Sequence, residues 1–383
     1  MESVYRVFDT VLSSENRVFV AYSGGKDSTC LSILLYDWLV EHGYSDKEVV
    51  LVNSDTLSEI PVMREWTVSF MEKYVDKLRK RGFDAKYRIF YPKPTDTFYW
   101  RVLIKGYPAP TYCFRWCVNL LKRKPSREIV ESTNSILLLG HRDEESSSRK
   151  RSLNMKLGSC PLKPGGCASY YLQVEGSVRR AYPMRMLREK EVWDYLESRR
   201  REFELDKLFE LYLYGSVKAR YGCWHCTLVK KQLPHYFLGR EYLYLEVGRL
   251  VYKWLSNNPK LRAIKNRGYS RYGYLLPEAR SVMLHMFSAI EKLSGLKLYG
   301  LDESRINGYT LRQIFYELDA KEADGLIRRI EGSDNERIPR TISEIRSLSR
   351  EINRMIQSIK ANIEKWGLNE EVMEVLSEAR ESI

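Results

Sequence analysis

VFVAYSGGKDSTCLSILLYDWLVEHG, residues 18–43, opens as a strand and closes as a helix. Residues 18–22 form a short apolar, β-rich run. From residue 29 the apolar side chains Leu31, Ile33, Leu34, Leu35, Trp38 and Leu39 recur at helical spacing. Between them stands Ser23-Gly24-Gly25-Lys26-Asp27-Ser28. A glycine-rich turn from strand to helix presents backbone N–H groups and the positive end of a helix, where a phosphate can sit. The two glycines let the backbone approach an anion closely. Lys26 adds charge, and Ser23 and Ser28 add hydroxyls. The spacing GxxxxGK[ST] is absent, so this is not a Walker P-loop.

Working outward, a second strand spans Val49–Val52 and ends in Asn53-Ser54-Asp55-Thr56, before a helix over about 62–81. Polar residues at the end of a parallel strand are where open α/β sheets bind ligands. Asp55 can bind Mg²⁺, position a nucleotide's ribose or base, or cap a turn. Tyr87–Tyr91 and Ile136–Leu139 read as further strands. The last runs into Gly140-His141-Arg142, with Arg149 seven residues on, and both arginines suit phosphate contacts. Strand and helix alternate over residues 1–200, which predicts a doubly wound parallel sheet.

The chain has 7 cysteines. Clustered cysteines outside a secreted context read first as metal or redox ligands. Cys223-x-x-Cys226 places two thiols in one turn, a ready chelate. Cys117 begins an expected helix, with Cys113 one turn earlier. Cys160 and Cys167 flank a Pro/Gly loop and offer either a fourth ligand or a disulfide. Cys30 lies on an apolar helix face and reads as core. All-thiol ligation suits Zn²⁺ or iron–sulfur alike. His225 inside the pair reads as a bystander, with Zn²⁺ ligation the alternative.

The 383 residues carry 63 Lys+Arg against 50 Asp+Glu, a net charge of +13, and 44% hydrophobic residues. That apolar content excludes a disordered chain. No apolar run approaches the ~20 residues of a membrane span, and the N-terminus has no secretory pattern. A cytoplasmic location is expected, with no membrane partner. The positive balance permits a polyanion partner.

After about residue 235 strand patterns vanish and helical ones dominate. Residues 236–255 interleave Tyr with Lys and Arg, either to hold nucleic acid or as an amphipathic helix with Tyr and Leu toward a core. Lys260–Tyr274 reads as a contact loop. Further helices are expected over 276–299 and 309–319. Ile345, Leu348, Ile352, Met355 and Ile359 repeat at heptad-like spacing, for packing on a C-terminal domain or, as the alternative, a homodimer. Two domains follow: 1–230, α/β with the cysteines, and 231–383, mainly helical and basic.

Several motifs then agree in order. They are SGGKDS at 23–28, Asp55-Thr56-Leu57-x-Glu59, Arg115-Trp116-Cys117, Gly140-His141-Arg142-x-x-Glu145-x-Ser147, Tyr182-Pro183-Met184, Val192-Trp193-Asp194-Tyr195-Leu196, and Gly222-Cys223-Trp224-His225-Cys226-Thr227. This series resembles the PAPS reductase family of PP-loop ATP pyrophosphatases over about residues 16–230, closest to the DndC/SspD-type proteins of DNA phosphorothioation. The resemblance implies ATP with Mg²⁺ on Ser23, Gly24, Gly25, Lys26, Asp27 and Ser28, assisted by Asp55, Arg142 and Arg149, with Lys26, Asp27 and Arg142 catalytic. It implies a 4Fe–4S cluster on Cys117, Cys223 and Cys226 with a ligand from Cys160, Cys167 or Cys113, Zn²⁺ being the alternative. The implied activity is a sulfurtransferase that adenylates a nucleic acid for sulfur incorporation. DNA is preferred over tRNA, and a cysteine desulfurase and further sulfur-modification subunits are the implied partners. The departures are informative. Trp116-Cys117 stands where iron–sulfur APS reductases carry a Cys–Cys pair. No Cys follows Cys226, so the tail nucleophile of PAPS and APS reductases is missing and reductase activity becomes the weaker alternative.

Overall fold

The computed structural model describes residues 1–13, 15–43, 46–124, 135–145, 147–157, 171–175, 178–216, 219–265, 272–296, 336–337 and 342–381. They sort into two compact units, each drawn from separate stretches of chain. The first comprises Met1–Asp55, Val62–Phe90 and Lys122–Lys218. The second comprises Thr56–Pro61, Tyr91–Leu121 and Ala219–Ile383.

The first unit is built on six strands: β1 (Arg17–Ala21), β2 (Glu48–Ser54), β3 (Asp84–Phe90), β4 (Ile136–Leu139), β5 (Leu172–Glu175) and β6 (Val178–Ala181). Their order is β3-β2-β1-β4-β6-β5. All neighbours are parallel except β5 and β6. Successive side chains in a strand face opposite sides, and here both sides are buried. Val18, Val20, Val49, Leu51, Ile136 and Leu138 are fully enclosed. Phe19, Val50, Val52 and Leu137 form a separate cluster with Ala21, Phe90 and Leu139. A sheet covered on both faces needs strands that are apolar throughout, which is why β1, β2 and β4 lack polar alternation. This is the doubly wound α/β sheet that the alternation predicts.

The helices here are α1 (Glu2–Leu12), α2 (Lys26–His42), α3 (Pro61–Lys80, in this unit from Val62), α4 (Ser147–Leu157), α5 (Glu189–Ser198) and α6 (Asp206–Leu211). Gly43, with φ 68°, ends α2 and returns its N–H to Leu39, the usual left-handed stop. Strand order reverses at β1, since β2 lies on one side and β4 on the other. Doubly wound sheets open a crevice at that switch point, beyond the carboxyl ends of the strands.

In the second unit, α7 (Pro234–Phe237), α8 (Tyr242–Asn257), α9 (Pro277–Ser294), α10 (Ile342–Trp366) and α11 (Glu371–Glu381) make the helical mass. The helix α8 settles the Tyr-rich stretch: Tyr242, Tyr244, Leu245, Val247, Val251, Tyr252 and Leu255 are buried, so those tyrosines are core. Leu348, Ile352, Met355 and Ile359 on α10 are also buried, and α10 packs on α8 and α11.

One expectation is corrected. Lys260–Tyr274 is not a bare contact loop, and strands do not vanish after residue 235. β7 (Arg262–Lys265) pairs antiparallel with β8 (Tyr272–Leu275) and with β9 (Glu336–Arg337). Four-residue strands are too short to show a period in sequence. The helix expected over 309–319 lies outside the described residues. Among the described residues no helix is long and apolar enough to cross a membrane.

Candidate functional site

Residues 23–28 form the turn from β1 into α2, at the switch point of the sheet. Gly24 has φ +75°, and a Cβ there would lie 2.1 Å from Thr67 Oγ1. The α3 residue Trp66 donates its indole N–H to Gly24 O at 2.9 Å. Gly25 is the N-cap of α2, and its carbonyl accepts from Ser28 Oγ at 2.9 Å and Thr29 Oγ1 at 3.1 Å. Ser28 Oγ in turn accepts from Ser23 N–H at 3.2 Å and lies 3.2 Å from Ser23 Oγ. The two serine hydroxyls therefore brace the turn itself, and this sets the path of the backbone that an anion would meet. The first-turn N–H groups of α2 have no carbonyl inside the helix to reach. The Tyr212 hydroxyl accepts that of Lys26, and burial, with Asp27 next, pushes its phenol well up.

Lys26 Nζ lies 3.4 Å from Glu189 Oε1, 3.7 Å from Asp27 Oδ2 and 5.3 Å from the centre of the Tyr212 ring. Asp27 receives Arg142 Nε at 2.5 Å. Arg142 is 2% exposed and also pairs with Glu144 at 3.1 Å. Burial alone would lower its pKa, yet Asp27 leads the carboxylates that raise it. Arg142 thus sits behind the loop as the counter-charge of Asp27. Gly140, which precedes it, would bring a Cβ within 3.0 Å of Asp27 O, so β4 can end this close to α2 only as glycine. Asp55, at the end of β2, is buried and accepts from Arg64 Nε at 2.6 Å. Arg149 lies on α4, two residues into the helix.

The cysteine region belongs to the second unit. The segment Ser58–Ile60 pairs with Gly222–Trp224: Trp224 N–H donates to Ser58 O at 2.9 Å, and Ile60 N–H to Gly222 O at 3.2 Å. Cys226 N–H closes the turn on Cys223 O at 3.2 Å, and Thr56 Oγ1 lies 3.4 Å from Cys223 Sγ. Leu57, between them, takes φ 57° although buried, a strained conformation of the kind that collects at functional sites. His225 is buried, stacks on Phe98 with centroids 3.3 Å apart, and meets Ser58 Oγ at 3.1 Å. Cys117 is half-buried beside Trp116, whose ring stacks on the same Phe98. Cys113 is not on a helix turn before Cys117 but at the exposed tip of a tight turn. Cys30 is core, and burial pushes its thiol well up. Cys160 and Cys167 lie outside the described residues. Thiols suit iron–sulfur or Zn²⁺, but among the described residues no group of three or more His, Cys, Asp or Glu could hold a metal ion.

Sequence reasoning missed two sets of residues. Tyr212 lies against the loop from nearly two hundred residues away, with no motif to mark it. Arg249 and Glu246 on α8 are both buried. Arg249 donates to Glu246 at 2.5 and 2.8 Å, and to the carbonyls of Cys226, Val229 and Lys230 at 3.4–3.5 Å. A guanidinium therefore braces the chain leaving the cysteine pair. In sequence, Glu246 and Arg249 look like an ordinary surface pair three apart.

A phosphate-type loop at the switch point of a doubly wound sheet, with a separate thiol-bearing unit, is the class this chain represents. The phosphoadenosine phosphosulfate reductase domain matches residues 17–229, more than half of the chain, and the chain belongs to that family. No curated protein matches significantly. Among solved structures, the chain is similar to phosphoadenylyl-sulfate (PAPS) reductase from Candida auris in its phosphate complex. The identity is 15% and the TM-score 0.36, over 59% of this chain and 90% of that one. It is also similar to the U34-tRNA thiolase NcsA from Methanococcus maripaludis with its 4Fe–4S cluster. There the identity is 15% and the TM-score 0.32, over 56% of this chain and 77% of that one.

Proposed function

We propose that the chain is a PP-loop ATP pyrophosphatase that adenylates a nucleic-acid acceptor for sulfur incorporation, as the DndC/SspD-type proteins of DNA phosphorothioation do. The observation that carries this is the turn at Ser23–Ser28: a glycine-shaped backbone on the N-terminus of α2, with Lys26 beside it and Asp27 held by buried Arg142.

An anionic DNA phosphate oxygen attacks the α-phosphorus of ATP, that bond forms, and the α–β bridging bond breaks with its electron pair on pyrophosphate. Lys26 and the helix N-terminus stabilise the charge that develops. Asp27, the one carboxylate of the loop, would hold the Mg²⁺ that accompanies the nucleotide, which would supply further neutralisation of the phosphate charge. The acceptor oxygen then leaves as part of AMP when sulfur at the sulfide level attacks. A cysteine desulfurase is the expected source of that sulfur; it delivers sulfur as a persulfide, and a dithiol reductant supplies the two electrons that bring it to the sulfide level, itself becoming a disulfide. An acceptor that is already anionic needs no general base.

The test counts AMP and pyrophosphate released from Mg²⁺-ATP by anaerobically purified protein with DNA, with tRNA, and with neither. Stimulation by DNA is expected, with a loss of at least about 100-fold in Lys26→Ala, on the scale of removing one transition-state donor. Stimulation by tRNA alone would move the acceptor to a base carbonyl. Sulfite release from PAPS or APS would make the chain a reductase, and undiminished turnover in Lys26→Ala would sink the reading.

A further inference from the structure

We infer that the turn Thr111–Phe114 is a stacking platform for a locally unpaired nucleic-acid strand; this rests on the nucleic-acid acceptor proposed above. Tyr112 is 74% exposed and Phe114 45% exposed, aromatics two positions apart that a protein would ordinarily bury. Their exposure is imposed by the backbone. Thr111 and Phe114 exchange N–H···O bonds at 3.2 and 3.1 Å, and Thr111 Oγ1 also accepts from Phe114 N–H at 3.1 Å. The Tyr112 hydroxyl donates to Leu228 O at 3.4 Å, which fixes the ring while leaving it accessible.

The approach to this turn is anchored along its length. Arg280 donates to Ile104 O at 3.0 Å, Leu275 N–H to Gly106 O at 2.6 Å, and Tyr252 to Tyr107 O at 3.1 Å. Trp116 donates to Pro108 O at 3.1 Å, Ala109 N–H to Ser256 Oγ at 2.8 Å, and Thr227 to Pro110 O at 3.3 Å. Rings held this way lose little freedom on binding, so stacking on them is not offset by an ordering cost.

Charge selects the occupant. Arg115 stands 5.2 Å from the Tyr112 ring centre, and Lys230 and Lys231 on the neighbouring segment are exposed. No Asp or Glu occurs between Asp96 and Glu128, nor between Glu210 and Glu241. Neither stretch contributes a carboxylate to the platform or to the cysteine turn, and Glu59, on the segment paired with Cys223, accepts from Thr56 Oγ1 at 3.3 Å. Flat aromatic faces with Arg115, Lys230 and Lys231 around them fit bases and phosphates of a single strand. A duplex keeps its base faces stacked inside and offers these rings nothing.

The test measures binding of a labelled single-stranded oligonucleotide and of its duplex to the full chain by fluorescence anisotropy, at low and higher salt. Tyr112→Ala/Phe114→Ala is expected to weaken single-strand binding about tenfold or more, since each stacked base contributes on that scale, and to weaken duplex binding less. Tyr112→Phe keeps the ring and restores affinity. Arg115→Ala is expected to flatten the salt dependence by about one phosphate contact. Tyr214→Ala removes an exposed ring of the other unit and leaves binding unchanged. Wild-type single-strand affinity in the double variant overturns the platform, as does loss of a co-purifying protein with nucleic-acid binding intact. If the wild-type chain itself binds no nucleic acid, the failure belongs to the acceptor reading instead.

Discussion

Two glycines that look alike in sequence carry different burdens in the loop. Gly24 holds φ +75° with Thr67 Oγ1 2.1 Å from any added Cβ, whereas Gly25 has φ −76° and its nearest atom would lie at 3.4 Å. Gly24→Ala is therefore expected to cost about 1–3 kcal/mol of stability and to raise the ATP concentration needed for half-maximal pyrophosphate release. Gly25→Ala should change melting temperature little; equal effects of the two would refute the backbone argument. Arg142 gives a second prediction at this scale. Removing one partner of a buried ion pair typically costs about 3–5 kcal/mol, so Arg142→Met should be strongly destabilised in denaturant unfolding. Arg142→Lys should recover only part of the loss, because an ammonium cannot bridge Asp27 and Glu144 as the guanidinium fork does. The sequence names the six loop residues, because strand, glycines, lysine and helix are contiguous. It does not tell that Ser23 and Ser28 brace the turn or that Arg142 faces Asp27, since those depend on how β4 is laid beside β1.

Helix α8 carries its argument in the residues that contradict its amphipathic pattern. Glu246 and Arg249 are buried among its apolar positions, and His235 of α7 meets Glu246 at 2.9 Å. Burial lowers the His235 pKa below its usual 6.5 even though Glu246 opposes the shift. For Glu246, burial raises the pKa, but hydrogen bonds from Arg249 and His235 outweigh it and the net direction is down. Both groups bind protons more weakly folded than unfolded, so each makes stability rise with pH. The His235 contribution is complete above about pH 6.5 and declines as pH falls below it. That of Glu246 is present above the usual carboxylate range and is lost as pH falls through its lowered pKa. Melting temperature measured from pH 7.5 downward should therefore begin to drop near pH 6.5, and His235→Gln should remove that first decline while leaving the acid limb. A flat profile between pH 7 and 5.5 in the wild type would exclude the histidine's part. Helix α8 was legible as a helix because its apolar residues repeat; its buried charges were not, because Glu246 and Arg249 read as a solvent-facing pair. The short strands β7 and β8 fell below the length at which a period can be seen.

For the molecule as a whole, a metal shared by Cys117 and the Cys223–Cys226 turn would join distant parts of the chain. Trp116, next to Cys117, and Trp224 and His225 of the Cys223–Cys226 turn all meet Phe98 in one aromatic cluster, although more than a hundred residues separate Cys117 from that turn in sequence. The pairing of Cys223 with Cys226 was plain from spacing; the aromatic bridge was not, because it is made by long-range packing. A donor completing a four-thiolate site would come from Cys160, Cys167 or Cys113. If the thiols hold the 4Fe–4S cluster that the resemblance implies, protein purified without oxygen carries about four iron and four sulfide per chain. Cys223→Ser and Cys226→Ser should each abolish that content, and Cys30→Ala should leave it intact. Serine scanning of Cys113, Cys160 and Cys167 then identifies the fourth ligand by which single change lowers iron. Because a ligand that binds only the folded chain adds stability, removing iron with a chelator should also lower the melting temperature. One zinc per chain with no sulfide would instead mark a structural thiolate site. A colourless protein without metal that still releases pyrophosphate on adding DNA would separate adenylation from any cluster, leaving the loop at Ser23–Ser28 as the whole of the catalytic apparatus.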